Sequence, residues 1–243
     1  MHWVYLSPHF DDAILSCGGL IYEQVWRGQT VEIWTLCAGE VPPGPLSSFA
    51  QELHLRWETG VETVRLRAKE DREACEKVGA AYRHLDVPDC IYRRTPEGDF
   101  IVRGEEDLFQ PLPESEQALA ARLGYRIRHM LPPYARVVSP LGVGGHVDHR
   151  LTRAVAESLR RHIWYYADYP YVAKLDFDPA QWLAGDLKVY HASISKEGLN
   201  AWQNGIAAYQ SQISSFWSSV ATMRKAIAAY KRDKDSTRLW RQV

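Results

Sequence analysis

Apolar residues in the N-terminal part of the chain follow two rhythms in turn, short unbroken runs and helical repeats, which is the pattern of βαβ units. The run Trp3-Val4-Tyr5-Leu6 breaks at Ser7-Pro8 and predicts a buried strand that ends in a turn. From Asp12 to Arg27 the residues Ile14, Leu15, Ile21, Tyr22, Val25 and Trp26 recur at helical spacing, and Gly28 supplies the stop. Thr30 to Ala38 is rich in β-formers and predicts a second strand, followed by a mobile loop through the Pro-rich Val41 to Pro45. Val61 to Val78, closed by Gly79, predicts a helix, and Tyr82 to Val87 a third strand. Between Cys90 and Gln110 the turn Pro96 to Asp99 predicts a surface hairpin or loop excursion. A helix over Ser115 to Met130, stopped by Pro132-Pro133, leads into a buried strand over Arg136 to Pro140 and then a Gly-rich loop. Beyond it, Asp148 to His162 is helical, Trp164 to Ala167 and Leu187 to Ser193 are strand-like, and Lys196 to Tyr230 holds one or two helices.

Strands alternating with helices predict an α/β fold: a Rossmann-like, largely parallel sheet flanked by helices, with the C-terminal third wrapped onto it. No repeat, low-complexity stretch or linker composition interrupts the chain, so one domain over residues 1–243 is expected. With 46% apolar side chains, 243 residues suffice for a full core. Lys and Arg (29) nearly balance Asp and Glu (30), leaving a net charge of −1, so the basic footprint of a nucleic-acid binder is missing. No apolar run approaches the roughly 18 residues of a membrane span. Cys17, Cys37, Cys75 and Cys90 form no C-x-x-C pair, and Met1-His2-Trp3-Val4 carries neither a basic nor an apolar leader segment. Reduced thiols in a cytoplasmic protein are the expectation.

Two of the predicted strand exits carry unusual chemistry. Ser7-Pro8-His9-Phe10-Asp11-Asp12 follows the first strand, and Gly142-Val143-Gly144-Gly145-His146-Val147-Asp148-His149 follows the strand that begins at Arg136. Ligands of open parallel sheets collect outside such carboxyl ends. With 9 His and 14 Asp in the chain, His-x-Asp-Asp is expected by chance only about 0.03 times. Adjacent carboxylates packed with a histidine are costly unless a cation or proton compensates them. Imidazole with carboxylate suits Zn²⁺, and a catalytic zinc takes three protein ligands, a count met by His9, Asp12 and His149. Asp11, beside a ligand but pointing elsewhere, is placed as a general base. His146 then lies near a developing oxyanion, and Asp148 is the natural orienting partner for one of the histidines. Taken alone, Asp12 also reads as a helix N-cap and Gly144-Gly145 as a turn. His2, His54, His84, His129, His162 and His191 have no partner at ligand spacing and read as structural or exposed.

Ser7-Pro8-His9-Phe10-Asp11-Asp12-Ala13, followed by Cys17-Gly18-Gly19 and later by His146-Val147-Asp148-His149, resembles the LmbE-like (PIG-L) family of zinc-dependent N-acetylglucosaminyl deacetylases. The likeness continues in Thr35 to Glu40, Arg67-x-x-Glu70, Asp168-Tyr169-Pro170-Tyr171 and Tyr209-x-Ser211-Gln212. It implies zinc, one ion per chain, on His9, Asp12 and His149, with Asp11 as general base and His146, beside Asp148, steadying the tetrahedral intermediate or protonating the amine. Phe10 and Ala13 depart from residues common in the family, and Cys90 to Gln110 matches none of its pattern. Those departures bear on loop shape and substrate fit.

The resemblance implies deacetylation of an N-acetylglucosamine-containing small molecule, with Arg67 and Asp89 as candidates for gripping sugar hydroxyls. An alternative for Arg67 is a helix-surface ion pair with Glu70. Two other functions are an amidase for a bulkier acyl or thiol-conjugate amide and a glycan-binding relative without catalysis. Tyr166, Tyr169 and Tyr171 read as core residues before stacking platforms. Homo-oligomers, trimers or hexamers, are common in the family, and Trp217 and Trp240 are expected to be exposed and to permit such assembly.

Overall fold

The computed structural model describes residues 1–57, 60–232 and 237–243. Its strands are β1 (His2–Ser7), β2 (Thr30–Thr35), β3 (Ala81–His84), β4 (Arg136–Pro140), β5 (Ile163–Tyr166), β6 (Leu187–His191) and β7 (Arg238–Gln242). The helices are α1 (Asp12–Trp26), α2 (Ser48–Arg56), α3 (Thr63–Val78), α4 (Glu114–Met130), α5 (Val147–Ser158), α6 (Lys196–Ala208), α7 (Gln210–Phe216) and α8 (Val220–Arg232). The strands form one sheet in the order β3-β2-β1-β4-β5-β7-β6. Pairings from β3 through β5 are parallel, whereas β7 runs antiparallel to both its neighbours. This is the α/β, Rossmann-like sheet that the alternating pattern predicts.

The central strand explains the unbroken apolar run at the start of the chain. Trp3, Val4, Tyr5 and Leu6 are all fully buried, because a parallel strand covered on both faces has no polar side. From β1 the chain winds outward through β2 to β3, then returns to place β4 on the other side of β1. The crevice between the exits of β1 and β4 is therefore the point where strand order reverses, the place at which α/β sheets bind ligands. Trp3 pairs in register with Arg136, and Tyr5 with Val138, so the two motif-bearing loops leave the sheet side by side.

The C-terminal third does wrap onto the sheet. Trp202 of α6 is fully buried and donates from Nε1 to the Ile14 carbonyl of α1 at 2.6 Å. Gly18 and Gly19 make that approach possible: a Cβ on Gly18 would stand 2.3 Å from Trp202 Cδ1. After Lys196 there are three helices where one or two were expected, because the chain breaks at Tyr209 and again at Trp217. Two further elements were not expected. The helix α2 follows the Pro-rich loop, its start capped by Ser47 Oγ accepting from Ala50 N at 3.1 Å. The strand β7 closes the antiparallel edge, and it buries Trp240 (2% exposed), which corrects the expectation that this tryptophan is a surface residue. Trp217 is half-buried and stacks on Tyr169, with ring centroids 6.2 Å apart. The Pro96 to Asp99 turn does make a hairpin, with Arg94 bridging Phe100, but its base at Cys90 to Arg93 is buried. Among the described residues no helix is long and apolar enough to cross a membrane.

Candidate active site

Each loop tip is shaped by its own backbone. At the exit of β1, Ser7 Oγ donates to the His9 carbonyl at 2.6 Å and accepts from Ala13 N at 3.0 Å, folding the turn into α1. The Asp12 carboxylate does not act as a helix cap. It turns back, with Oδ2 accepting from His9 N at 2.8 Å and lying 3.1 Å from His9 Nδ1. At the exit of β4, Gly142, Gly144 and Gly145 all have positive φ, and a Cβ on Gly144 would stand 2.4 Å from the Tyr171 ring. His146 starts α5, its Nδ1 accepting from Asp148 N at 3.2 Å.

These turns bring the three expected ligands together. His149 Nε2 lies 3.3 Å from Asp12 Oδ1, and one donor atom from each of His9, Asp12 and His149 falls within 4.8 Å of the others. Each imidazole is aimed by a carboxylate on its remaining nitrogen: His9 Nε2 is 3.0 Å from Asp148 Oδ2, and His149 Nδ1 is 2.6 Å from Asp168 Oδ1. Two imidazoles and a carboxylate, with the far nitrogens engaged by acids, form a donor set that can hold a zinc-like ion. Asp148 also appears in two other three-residue groupings, with His9 and His146 and with Asp89 and Cys90. Its carboxylate is already taken by Arg93 Nη2 at 2.6 Å and by His9, so it is better suited to aim a ligand than to be one.

The electrostatics of the pocket call for a cation. Burial alone would depress the His149 imidazole, but Asp12 and Asp168 on either side override it and push its pKa up to about 10. His9 is raised in the same way, its burial outweighed by Asp89, Asp12 and Asp148. His146 behaves oppositely: burial and the neighbouring His9 and His149 lower it to about 3, leaving it neutral. Since its Nδ1 accepts a backbone N–H, its proton resides on Nε2.

Asp11 and Asp12 are neighbours with different surroundings. Burial raises the Asp11 carboxyl to about 6 against the opposing pull of Arg67, whose Nη2 is 3.6 Å from Asp11 Oδ1. Both line a cavity of about 190 Å³ with Asp89, His146, His149 and Tyr171. Arg67 belongs to this cavity and forms no pair with Glu70, which instead accepts from Ser211 N at 2.8 Å and Ser211 Oγ at 2.6 Å. That replaces the helix-surface ion pair open from sequence. Asp89 also faces the cavity, its Oδ2 3.6 Å from His9 Nε2. All eight residues singled out by sequence thus converge at one crevice. Of the three tyrosines, Tyr166 and Tyr169 are core residues, while Tyr171 reaches the pocket wall.

The profile of the PIG-L family, described as GlcNAc-PI de-N-acetylase, matches residues 4–159. The chain belongs to the PIG-L family. Among characterised relatives, 2'-N-acetylparomamine deacetylase of Niallia circulans is 29% identical over 188 residues, 70% of this chain and 67% of the relative. A solved complex of a deacetylase with teicoplanin, from the teicoplanin biosynthesis pathway, superposes with a TM-score of 0.80 at 25% identity, covering 99% of this chain and 97% of the other. The zinc-inhibited form of teicoplanin deacetylase shares the fold, with a TM-score of 0.80, 24% identity and the same coverage of both chains.

Within this PIG-L chain, sequence reasoning missed several supports. Asp168 was visible only as part of the family likeness, yet it lies just beyond β5, a third strand exit bearing an acid, and that position was the available signal. Arg93 and Glu116 carried no signal. Arg93 is buried, and its Nη2 donates to both Asp148 Oδ1 and Glu116 Oε2 at 2.6 Å while Nη1 donates to the Pro88 carbonyl at 2.8 Å. Of the histidines read as structural, His84 contacts Asp71 Oδ2 at 2.7 Å and His2 contacts Glu32 Oε1 at 2.7 Å.

Proposed function

We propose that this chain is a zinc-dependent N-deacetylase that releases acetate from the 2-acetamido group of an amino-sugar conjugate, with residues 1–243 acting as one cytoplasmic domain. The observation that carries the reading is the three-ligand cluster of His9, Asp12 and His149 with the buried, non-ligating Asp11 on the wall of the same cavity. The chain's similarity to 2'-N-acetylparomamine deacetylase supports an N-acetylated substrate.

His9, Asp12 and His149 would hold a zinc ion, one per chain, which when bound would supply Lewis acidity toward an amide carbonyl and a nucleophile at neutral pH. The protein's own residues do the rest. Asp11, the buried base, would accept a proton from the attacking water as the C–O bond forms and return it to the amine nitrogen as the C–N bond breaks, with Arg67 holding its carboxylate toward the cavity. Neutral His146 offers the Nε2 proton as a hydrogen-bond donor where negative charge builds on the carbonyl oxygen. Asp148 and Asp168 keep His9 and His149 turned toward the ion position. Asp89 and Arg67 line the approach and offer an acceptor and a donor to sugar hydroxyls.

Cleavage of a bulkier acyl amide is favoured by one feature, the apolar rim of Leu53, Trp57, Ile91, Leu108 and Phe216. A panel of amides decides between the two. Acetate release from N-acetylglucosamine conjugates, with larger acyl amides inert, is the expected result, and preference for the larger amides would replace the reading. Elemental analysis should find about one zinc per chain. Asp11→Asn is expected to keep that zinc while losing about 10² to 10⁴ in turnover, and an unchanged rate would remove Asp11 from its role.

A further inference from the structure

A second basin lies at the other end of the sheet. It encloses about 540 Å³ between Arg136 at the start of β4, Arg161 and His162 just before β5, and Lys188 and Arg241 on the paired strands β6 and β7. His9 and His146 follow the carboxyl ends of β1 and β4, so the two sites sit at opposite edges of the parallel strands. No aspartate or glutamate lines this basin among the described residues. Among the described residues none of its four formal cations pairs with a carboxylate, whereas Arg93, Arg126 and Arg153 elsewhere each do. In a chain of net charge −1, such a one-signed concavity is a local feature with no counterpart in the overall composition.

The guanidinium groups are held by contacts that leave their charge uncancelled. Arg136 lies 5.0 Å over the Trp3 ring and Arg241 lies 5.3 Å over the Trp164 ring. Arg161 donates from Nη1 to the Ala135 carbonyl and from Nη2 to the Pro133 carbonyl, both at 3.3 Å. Arg241 Nε is buried with no acceptor. Ring faces and carbonyls thus fix the forks before any ligand arrives, which lowers the ordering cost of binding. A planar guanidinium matches the paired oxygens of a phosphoryl group, and several converging cations select for multiple charge.

We propose that this basin binds a small, multiply charged phosphoryl anion, inorganic or ester-linked, separately from the deacetylase pocket. Calorimetric titration of the metal-loaded protein with sodium pyrophosphate, with adenosine diphosphate as an ester and with citrate as a carboxylate tests it. Saturable pyrophosphate binding near one per chain is expected, weakening as ionic strength rises. The double variant Arg136→Gln/Lys188→Gln changes two exposed side chains and is expected to keep its melting temperature while losing about tenfold or more in affinity. Tighter binding of adenosine diphosphate than of pyrophosphate would assign the ester source, and the reverse the inorganic one. Absence of saturable binding, or an affinity unchanged in the double variant, would overturn the site. Citrate binding as tightly as pyrophosphate would overturn the phosphoryl class.

Discussion

Asp148 and Asp168 occupy matching places behind two imidazoles, and neither carboxylate is free to wander. Asp148 is clamped by Arg93, and Asp168 accepts from Val143 N at 3.0 Å as well as from His149. Removing such a partner frees the ring to turn. Asp168→Ala is therefore expected to weaken zinc affinity about 10- to 100-fold, read by competition with a chromogenic chelator. The clamp itself is a buried ion triad, and losing its cation leaves Asp148 and Glu116 uncompensated. Arg93→Ala is expected to cost about 3–5 kcal/mol in urea unfolding. A cost no larger than that of an exposed arginine would show the triad to be energetically idle. The three proposed ligands were legible in sequence because His9 and Asp12 lie within one turn of chain and His149 repeats the chemistry at a second strand exit. Arg93 was not, since an arginine in a loop reads as solvated until its neighbours are known.

At the scale of elements, the site exists because β1 and β4 pair directly across the reversal in strand order. The helices around it come from distant parts of the chain. Leu53 and Arg56 of α2 and Gln212 and Phe216 of α7 close one side of the pocket, although α2 was not expected and α7 is only a short segment. Both escape a periodicity argument: α2 buries only Phe49, Ala50, Leu53 and His54, and α7 buries only Gln212. The α1–α6 contact, by contrast, has a sharp sequence correlate in Gly18-Gly19. Gly18→Ala forces its new methyl against Trp202, whose indole is pinned by the Ile14 carbonyl. An expected loss of about 1–3 kcal/mol follows, measurable as a lower melting temperature, and a neutral effect would mean that α6 can shift away.

Over the whole molecule, the four cysteines are all free and buried, and burial holds every thiol well above its ordinary pKa. Since the thiolate is the reactive form, a disulfide reagent is expected to find no thiol in the native protein and four after unfolding in urea. Rapid labelling of the native state would contradict this burial. The chain's order of runs and repeats determined the α/β class, the central strand and the two loops with zinc-ligand chemistry, because periodicity and ligand spacing are short-range properties. Which acid faces which imidazole was decided only by tertiary structure. Asp168 is 19 residues from His149 and Arg93 is 55 from Asp148, and only the crossing of separate strands and loops sets those contacts. The basic basin is likewise a product of assembly: its cations come from β4, the approach to β5, β6 and β7, four segments whose charges are unremarkable until the sheet sets them side by side.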